Sequence, residues 1–270
     1  MLTPQIFSIL VPPMITVSIV TFRTDLAVLK ATISSLRSCT FPITLVIIDN
    51  TPEDAYFWLL KKQTGEHCVR SGANNGYGFG HNLAMKHLPV APYHLVLNPD
   101  VIVHHGCLEA MLAIMENATN IGLATPKILN VNGTLQLLNK RDPNVFALFM
   151  RRFLPKPLQE VPAIRRHMEQ YMMMDFGYEQ SYEIQFASGC FMLFRRSIWD
   201  AIGGFDEQFF MSFEDADISR RARSISKVQY CPEATITHSW ARSSHTNWQS
   251  TIDALKSAYQ YFQKWGWKWL

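Results

Sequence analysis

The chain opens without a basic leader, and its first apolar stretch, Gln5 to Met14, is short and interrupted by Pro4, Pro12 and Pro13. That excludes a secretory signal and falls far below the ~20 apolar residues of a spanning helix. The five cysteines (Cys39, Cys68, Cys107, Cys190, Cys231) are scattered, odd in number and free of any CxxC pair. They read as core thiols in a reducing compartment, not as a disulfide framework or zinc site. Surplus charge is also missing, since a net +3 over 270 residues is too little for bulk attraction to nucleic acid. No nucleic-acid partner is expected, and the protein reads as cytoplasmic.

What is present is hydrophobic mass: 48% apolar residues are ample for a core, and 17% charge argues against disorder. The length fits one α/β domain or slightly more. Residues 140–166 carry seven Lys/Arg (Lys140, Arg141, Arg151, Arg152, Lys156, Arg165, Arg166) against Asp142 and Glu160. That stretch is either a face for anionic partners or an ordinary solvated surface.

Strand and helix signals alternate through the first half. Thr16–Thr21 and Ile43–Ile48 are β-branched runs of buried-strand character, and Tyr93–Leu97 and Ile121–Thr125 repeat the pattern. Asp25 stands as N-cap before Leu26, Leu29, Ile33 and Leu36, and further helices are expected over 52–62, through Leu88, and around Leu108–Glu116. This order predicts βαβ units on a mostly parallel sheet. Residues 130–180 show no clean period and read as a variable insertion or flexible region on the acceptor side. Beyond it come a strand at Cys190–Phe194, a helix from Glu214, strands over Val228–Cys231 and Ala234–Thr237, and a last helix from about Asn247 to Lys264. The whole chain, 1–270, is expected to be one domain. Its parts are a nucleotide-binding half at 16–125, an insertion at 126–182, and a catalytic, acceptor half at 183–270.

The chemistry concentrates at strand ends, where ligands lie in open α/β sheets. Asp49-Asn50 follows one strand and Asn98-Pro99-Asp100 another. Pro99 removes a donor and stops its strand, leaving Asp100 either as a turn residue or as an oxygen ligand suited to Mg²⁺ or Mn²⁺. The glycines at 76, 78 and 80 open a helix where backbone can approach phosphate, with His81 and Asn82 on its first turns. Glu214, Asp215 and Asp217 crowd three carboxylates among aromatics, and Arg220 and Arg221 follow as partners. The tail from Tyr259 to Leu270 holds three Trp in its last six positions. It suits either a membrane interface or packing on its own domain.

Taken in order, the motifs Val17-Ser-Ile-Val-Thr21, Ile47-Ile-Asp-Asn50, Gly76-Tyr-Gly-Phe-Gly-His-Asn82, Leu97-Asn-Pro-Asp-Val101, Ala187-Ser-Gly-Cys-Phe-Met-Leu193, Gly203-Gly-Phe-Asp-Glu207, Phe213-Glu-Asp-Ala-Asp-Ile-Ser-Arg-Arg221 and Ile236-Thr-His238 resemble the family 2 glycosyltransferases of the GT-A fold. The likeness spans 16–265 except 130–180, and is greatest to the bacterial rhamnosyltransferase branch. It implies an inverting transfer from a nucleotide sugar, best dTDP-L-rhamnose, to a saccharide or lipid-linked saccharide acceptor in envelope glycan or lipopolysaccharide synthesis. A peripheral contact at the inner membrane face is part of that picture. Asp215 matches the general base. Asp100 matches the last carboxylate of the Asp-x-Asp metal motif, with Asn98 replacing the first, and His238 matches the histidine that completes the metal shell. Asp49 matches the nucleotide-reading carboxylate. Thr21, Arg23, Asn50, Asn75, Gly76, Gly78, His81, Asn82 and Asn98 are expected around the donor, and Ser188, Gly189, Glu214 and Asp217 on the acceptor side or in support. Another donor (UDP-GlcNAc, UDP-galactose or UDP-galactofuranose) and a non-catalytic sugar-nucleotide-binding protein remain as alternatives. A sugar nucleotidyltransferase is set aside because no Gly-rich loop follows the first strand.

Overall fold

The computed structural model describes residues 14–239 and 248–270. The N-terminal stretch up to residue 13, Trp240 and the expected helix start at Asn247 lie outside the described residues. Strand β1 (Ile15–Thr21) is buried along its whole length. It leads through Asp25, whose carboxylate accepts from Ala27 N at 2.7 Å, into α1 (Leu26–Leu36). Leu29, Ile33 and Leu36 face the core as their spacing requires, with Thr32 beside them. Then follow β2 (Ile43–Asp49), α2 (Asp54–Thr64), β3 (His67–Arg70), α3 (Tyr77–Met85), β4 (Tyr93–Leu97), β5 (Val101–Val103), α4 (Cys107–Asn117) and β6 (Ile121–Leu129). The four-residue β3 and three-residue β5 are too short to show a period and were not expected from sequence.

The stretch expected to be irregular is largely helical: α5 (Val145–Phe153), α6 (Lys156–Gln159), α7 (Pro162–Tyr171) and a 3-10 turn at Met174–Phe176. The signals for two of these were local. Asn144 caps α5 by accepting from Ala147 N at 2.8 Å, and Pro162 starts α7 with its φ already set. Prolines 155, 157 and 162 cut the pattern into pieces too brief for periodicity to register. The chain ends with β7 (Tyr182–Glu183), β8 (Phe191–Arg195), α8 (Arg196–Ile202), α9 (Glu214–Arg223), β9 (Lys227–His238) and α10 (Trp248–Trp265).

The nine strands order as β3-β2-β1-β4-β8-β6-β9-β5, with β7 beside β9. The first four are parallel, as the alternating pattern predicts, and the order reverses between β1 and β4, which opens a crevice at their carboxyl ends. The second half is not parallel: β8 runs antiparallel to both β4 and β6, so the sheet is mixed. The two strands expected around Pro232 are one, β9, whose register against β6 jumps there from Pro126↔Cys231 to Lys127↔Thr235. A proline that cannot donate is accommodated by that bulge. The main core fills the space between the sheet and α1, α2 and α4, while a second cluster lies beneath α8 and α9.

Candidate active site

At the end of β2, Asp49 lies in register with Thr21 of β1. Its Oδ1 accepts from Thr21 Oγ1 at 3.3 Å and from Thr51 N at 3.0 Å. Its Oδ2 is buried with no hydrogen-bond partner. Burial raises the Asp49 pKa, against the hydrogen bonds from Thr51 and Thr21. Asn50 donates from Nδ2 to Gly76 O at 3.0 Å, and its Oδ1 is likewise buried and unpartnered. Leaving a buried acceptor unsatisfied costs about 1–3 kcal/mol. Each of these two atoms is open to a donor from a ligand. Arg23 does not join them, because its guanidinium pairs with Glu53 at the surface and its N–H donates to Thr51 Oγ1 at 2.9 Å. Asn75 is exposed, and its N–H donates to Ala73 O.

The glycine-rich segment, expected to approach phosphate, is also closely packed. A Cβ on Gly76, at φ +103°, would stand 2.4 Å from Phe210 O, and Tyr77 N donates to that same carbonyl at 3.0 Å. Beta carbons on Gly78 and Gly80 would strike Phe205 and Val20 at 2.8 and 2.6 Å. Small residues therefore let α3 press against the 205–210 loop and β1. His81 and Asn82 are turned to the same internal use. His81 is fully buried, with Nδ1 2.6 Å from Ser18 Oγ, in a chain continuing to His94 Nε2 at 3.1 Å. Asn82 brackets Phe205, accepting its N–H and donating to its carbonyl, each at 2.9 Å. Asn82 is thus engaged in packing the 205–210 loop, whereas His81 keeps its buried Nε2 without a hydrogen-bond partner.

At the end of β4, Asn98 N donates to Cys190 O at 2.9 Å, and Asp100 O accepts from Ser239 N at 3.0 Å. These bonds hold the turn against the start of β8 and the end of β9. His238 Nε2 lies 3.4 Å from Asp100 Oδ1 and 3.5 Å from Asn98 Nδ2. Its other nitrogen, Nδ1, lies 3.2 Å from Gln136 Oε1, and Gln136 Nε2 donates back to His238 O at 2.7 Å. An Nδ1–H held by Gln136 leaves the Nε2 lone pair directed at Asp100, the orientation a metal-ligating imidazole has. Burial disfavours the charged ring, but neighbouring Cys190 and Asp100 outweigh it and push His238 up to about 10. A divalent ion would compete with that proton. Among the described residues, no three ligating side chains converge. An ion at Asp100 and His238 would complete its shell from phosphate and water, as Mg²⁺ commonly does. Gln136 was missed because it sits in the stretch read as an insertion.

Opposite, Ser212 and Phe213 both adopt left-handed φ, at 71° and 70°, immediately before α9. Such non-glycine conformations cost about 1–3 kcal/mol each and persist only where the surroundings impose them. They present Asp215 in the first turn of α9, half-buried. Its Oδ2 accepts from Gly189 N at 3.2 Å and its Oδ1 from Ala216 N at 3.0 Å, while Gly189 O takes a 2.6 Å bond from Tyr77 OH. Ser188 is half-buried next to it in sequence. Burial raises the Asp215 pKa, and the ammonium of Lys140 opposes the rise. Lys140 is itself buried, with Nζ 4.6 Å from the Phe186 ring centre, and burial followed by Arg151 lowers it to about 8. Nothing in its sequence context separated it from the other basic residues of 140–166, of which Arg141 pairs with Asp175 and Arg165 with Glu169, while Arg151 and Arg152 line the same cleft as Lys140.

The three carboxylates of the cluster are thus unequal. Glu214 is buried, has no partner for Oε2, and is pushed well above the usual carboxyl range by burial and then by Asp215. Asp217 has no exposure and takes Arg221 Nε on Oδ2 at 2.8 Å, and Lys264 Nζ and Trp265 Nε1 on Oδ1 at 2.7 and 2.8 Å. It ties α10 to α9, so its expected acceptor-side role is restricted to support, and Arg221 is the partner foreseen. The tail packs on its own domain, with Val145 N and Phe146 N donating to Lys268 O and Trp269 O. Those carbonyls satisfy amides that a helix start leaves unpaired. A cleft of about 630 Å³ opens from Glu214 and Asp215 between α5 and α10.

Comparison with known proteins identifies the family and the fold. Residues 12–258 match the model of the glycosyltransferase like family 2. An N-acetylglucosaminyl-diphospho-decaprenol L-rhamnosyltransferase of Mycobacterium tuberculosis is 25% identical over 218 residues, covering 75% of this chain and 68% of that protein. The low-salt glycan biosynthesis hexosyltransferase Agl10 of Haloferax volcanii is 27% identical over 161 residues, 58% of this chain and 46% of the relative. Among solved structures, GalNAc-T7 with UDP, GalNAc and Mn²⁺ superposes with a TM-score of 0.62 at 15% identity, covering 84% of this chain and 43% of that one. The mannosyltransferase PcManGT of Pyrobaculum calidifontis with GDP-Man and Mn²⁺ gives 0.61 at 13% identity, covering 94% and 64%. The chain therefore spans less than two thirds of either solved protein. With the family model matching residues 12–258 and the fold shared with these solved structures, the chain belongs to the glycosyltransferase-like family 2 and is a glycosyltransferase of the GT-A fold.

Proposed function

We propose that the protein inverts the anomeric carbon of L-rhamnose as it moves the sugar from dTDP-L-rhamnose to a lipid-linked saccharide acceptor. The observation that carries the reading is Asp215. One carboxylate stands at the cleft, fixed by Gly189 N and Ala216 N with Lys140 opposing the rise of its pKa, while burial and Asp215 push its neighbour Glu214 well above the usual carboxyl range. A single base without a second carboxylate as nucleophile supports one displacement and hence inversion. The acceptor hydroxyl gives its proton to Asp215 as its oxygen bonds to the anomeric carbon. The bond from that carbon to the diphosphate oxygen breaks, and the nucleoside diphosphate leaves with the electron pair. Asp49 and Asn50 bind the nucleoside, and Asp100 and His238 would hold Mg²⁺ or Mn²⁺. The ion, when bound, neutralises charge on the departing diphosphate.

The division of labour is 16–125 for the donor, 183–270 for base and acceptor, and 126–182 for Gln136, Lys140 and one cleft wall. The donor choice draws support from the Mycobacterium tuberculosis relative. A UDP-sugar is the second reading, because Asp49 Oδ2 and Asn50 Oδ1 ask for two donors. Uridine brings both the base N3–H and a ribose 2′-hydroxyl, which the deoxyribose of dTDP lacks. The test is nucleotide release from a panel of dTDP- and UDP-sugars with Mn²⁺, read beside thermal stabilisation. Turnover and stabilisation with dTDP-L-rhamnose are expected. Stabilisation by UDP-sugars alone would sink the rhamnosyl assignment.

No helix among the described residues is long and apolar enough to cross a membrane. We place the enzyme at the cytoplasmic face by the chemistry of its nucleotide donor.

A further inference from the structure

Lys140 is a costly residue where it stands. It is only 9% exposed, and a hydrophobic side chain of the same length would pack there without burying a charge. The ammonium lies 4.6 Å from the centre of the Phe186 ring, whose face offsets only part of the lost hydration. Burial and then Arg151 work against its charge, and Asp215 is the carboxylate that favours it. A lysine kept against those costs points to the effect of its charge on Asp215.

One short segment holds both groups. Lys140 and Phe186 pair as an antiparallel bridge, with Lys140 N donating to Phe186 O at 3.3 Å and Phe186 N to Lys140 O at 3.0 Å. The next residue, Ala187, donates its N–H to Ser219 Oγ at 3.2 Å, and that hydroxyl donates to Asp215 O at 2.6 Å. Two residues further, Gly189 N donates to Asp215 Oδ2 at 3.2 Å. Residues 186–189 thus strap the backbone of Lys140 to the first turn of α9. Lys140 and Asp215 both line the same cleft.

Other titratable groups face the pair from the surrounding elements. Arg151 of α5 and Cys190, just before β8, act on Lys140. Tyr171 of α7 and Tyr77 of α3 both feel Asp215, and burial pushes both phenols up, so they stay neutral through the acid range. Glu214 adjoins Asp215 and is raised by burial and then by that neighbour. Lys140 is the group whose charge lowers Asp215.

We propose that Lys140 is the positioning residue of the base: its ammonium, strapped in place through Phe186, is the counter-charge that keeps Asp215 ionised and ready to take the acceptor proton. The proposal rests on the reading of Asp215 as base, and it needs no contact between Lys140 and substrate. Without the ammonium, Asp215 and Glu214 would form a desolvated carboxyl pair that holds its protons to higher pH.

The test reads the base in two ways. Full-length protein carrying carbon-13 at its Asp and Glu carboxyls is titrated by NMR from about pH 4 to 8. The Asp215 signal is identified by its loss in Asp215→Asn, and thermal unfolding confirms that each variant folds. Lys140→Met is expected to move the Asp215 midpoint up by about one pH unit, the low end of the effect of a neighbouring opposite charge. Lys140→Arg, which keeps the charge, is expected to return it at least halfway. Lys140→Gln takes the place of Lys140→Met should that variant unfold. The second readout is nucleotide release to water from the active nucleotide sugar, at saturating donor and Mn²⁺. The acid limb of kcat should move with the NMR midpoint, while KM for the donor stays within about twofold.

A midpoint that moves by less than ~0.3 pH unit in Lys140→Met overturns the proposal. A raised donor KM with the acid limb in place overturns it too, because Lys140 would then be a substrate contact. So does a shifted carboxyl with an unmoved acid limb, since Asp215 would not be the titrating base. Failure of the wild type to release nucleotide from any sugar would refute the transfer reading. The NMR midpoint would still decide whether Lys140 sets the charge on Asp215.

Discussion

Asp49 and Asp215 are both desolvated carboxylates with one oxygen or both held by donors, yet the two halves of the molecule hold them differently. Asp49 is fixed by a strand neighbour, Thr21, and by Thr51 two residues on. Asp215 depends on Gly189, 26 residues away, on the field of Lys140 from the 126–182 region, and on a helix tied to the C-terminus through Asp217 and Lys264. The donor half is organised by a parallel sheet whose register places its groups. The acceptor half is organised by side chains that bind distant segments together. Damage to the first should therefore remain local and affect binding, whereas damage to the second should spread.

The largest expected effect separates the two carboxylates by kinetic parameter. Asp215→Asn should lower kcat by about 10²–10⁴-fold, the usual contribution of a general base, and leave donor affinity within about twofold. Asp49→Asn should instead raise KM for the donor and spare kcat. Steady-state kinetics with the active nucleotide sugar decides this. Matching losses in both variants would erase the distinction between the halves.

Next is the tie between α9 and α10. Removing one partner of a buried ion pair is strongly destabilising when it strands the other charge. Here Arg221 keeps the carbonyls of Ile202 and Gly204, and Lys264 keeps Asp206. Asp217→Ala should therefore cost about 3 kcal/mol, the low end of that range, read from urea unfolding. Turnover should fall with it because Asp215 rides on the same helix turn. A stability loss under about 1 kcal/mol would show that the contact is incidental.

That contrast also explains what was legible in the sequence. β1, β2 and β4 are runs of period-readable residues, and Asp25 capped α1 as its type and place foretold. Asp49, Asp100, Asp215 and His238 could be named because the family resemblance marks them. Gln136 and Lys140 could not, since each acts through a contact made only after the chain has folded, 102 residues away for Gln136 and His238. His81 and the glycines carry a packing role that their types do not announce. Their types suit phosphate binding, and only the positions of Ser18, Phe205, Phe210 and Val20 show them used in packing.

Gly76 is where the halves meet, so its replacement tests the seam. Gly76→Ala would place Cβ 2.4 Å from Phe210 O at a backbone φ of +103°, and backbone cannot yield as a flexible side chain does. A loss of about 2 kcal/mol is expected, in the range for a strained non-glycine residue. Thermal unfolding reads it. Nucleotide affinity should drop as well, because Asn50 Nδ2 donates to Gly76 O.

The smallest effect is a pH dependence of stability centred on Glu214 in the acceptor half. Glu214 has its folded-state pKa raised above the reference 4.5 by burial and by Asp215, so the folded protein holds this proton after the unfolded chain has released it. Between those two values the native state binds more protons, and stability falls as pH rises. The neutral carboxyl therefore contributes fully below pH ~4.5, and its contribution is lost as pH climbs through the folded value. Glu214→Gln imitates the protonated form at every pH. Its Tm relative to wild type should be unchanged near pH 4 and should rise steadily toward pH 8. Asp49→Asn, at a raised carboxylate with Oδ2 free to receive a ligand, provides the donor-half comparison and should show its pH dependence lessen when nucleotide is added. A flat difference for Glu214→Gln across that range would mean that Glu214 ionises in the folded protein beside Asp215, and the assignment of a single charged base at the cleft would fail.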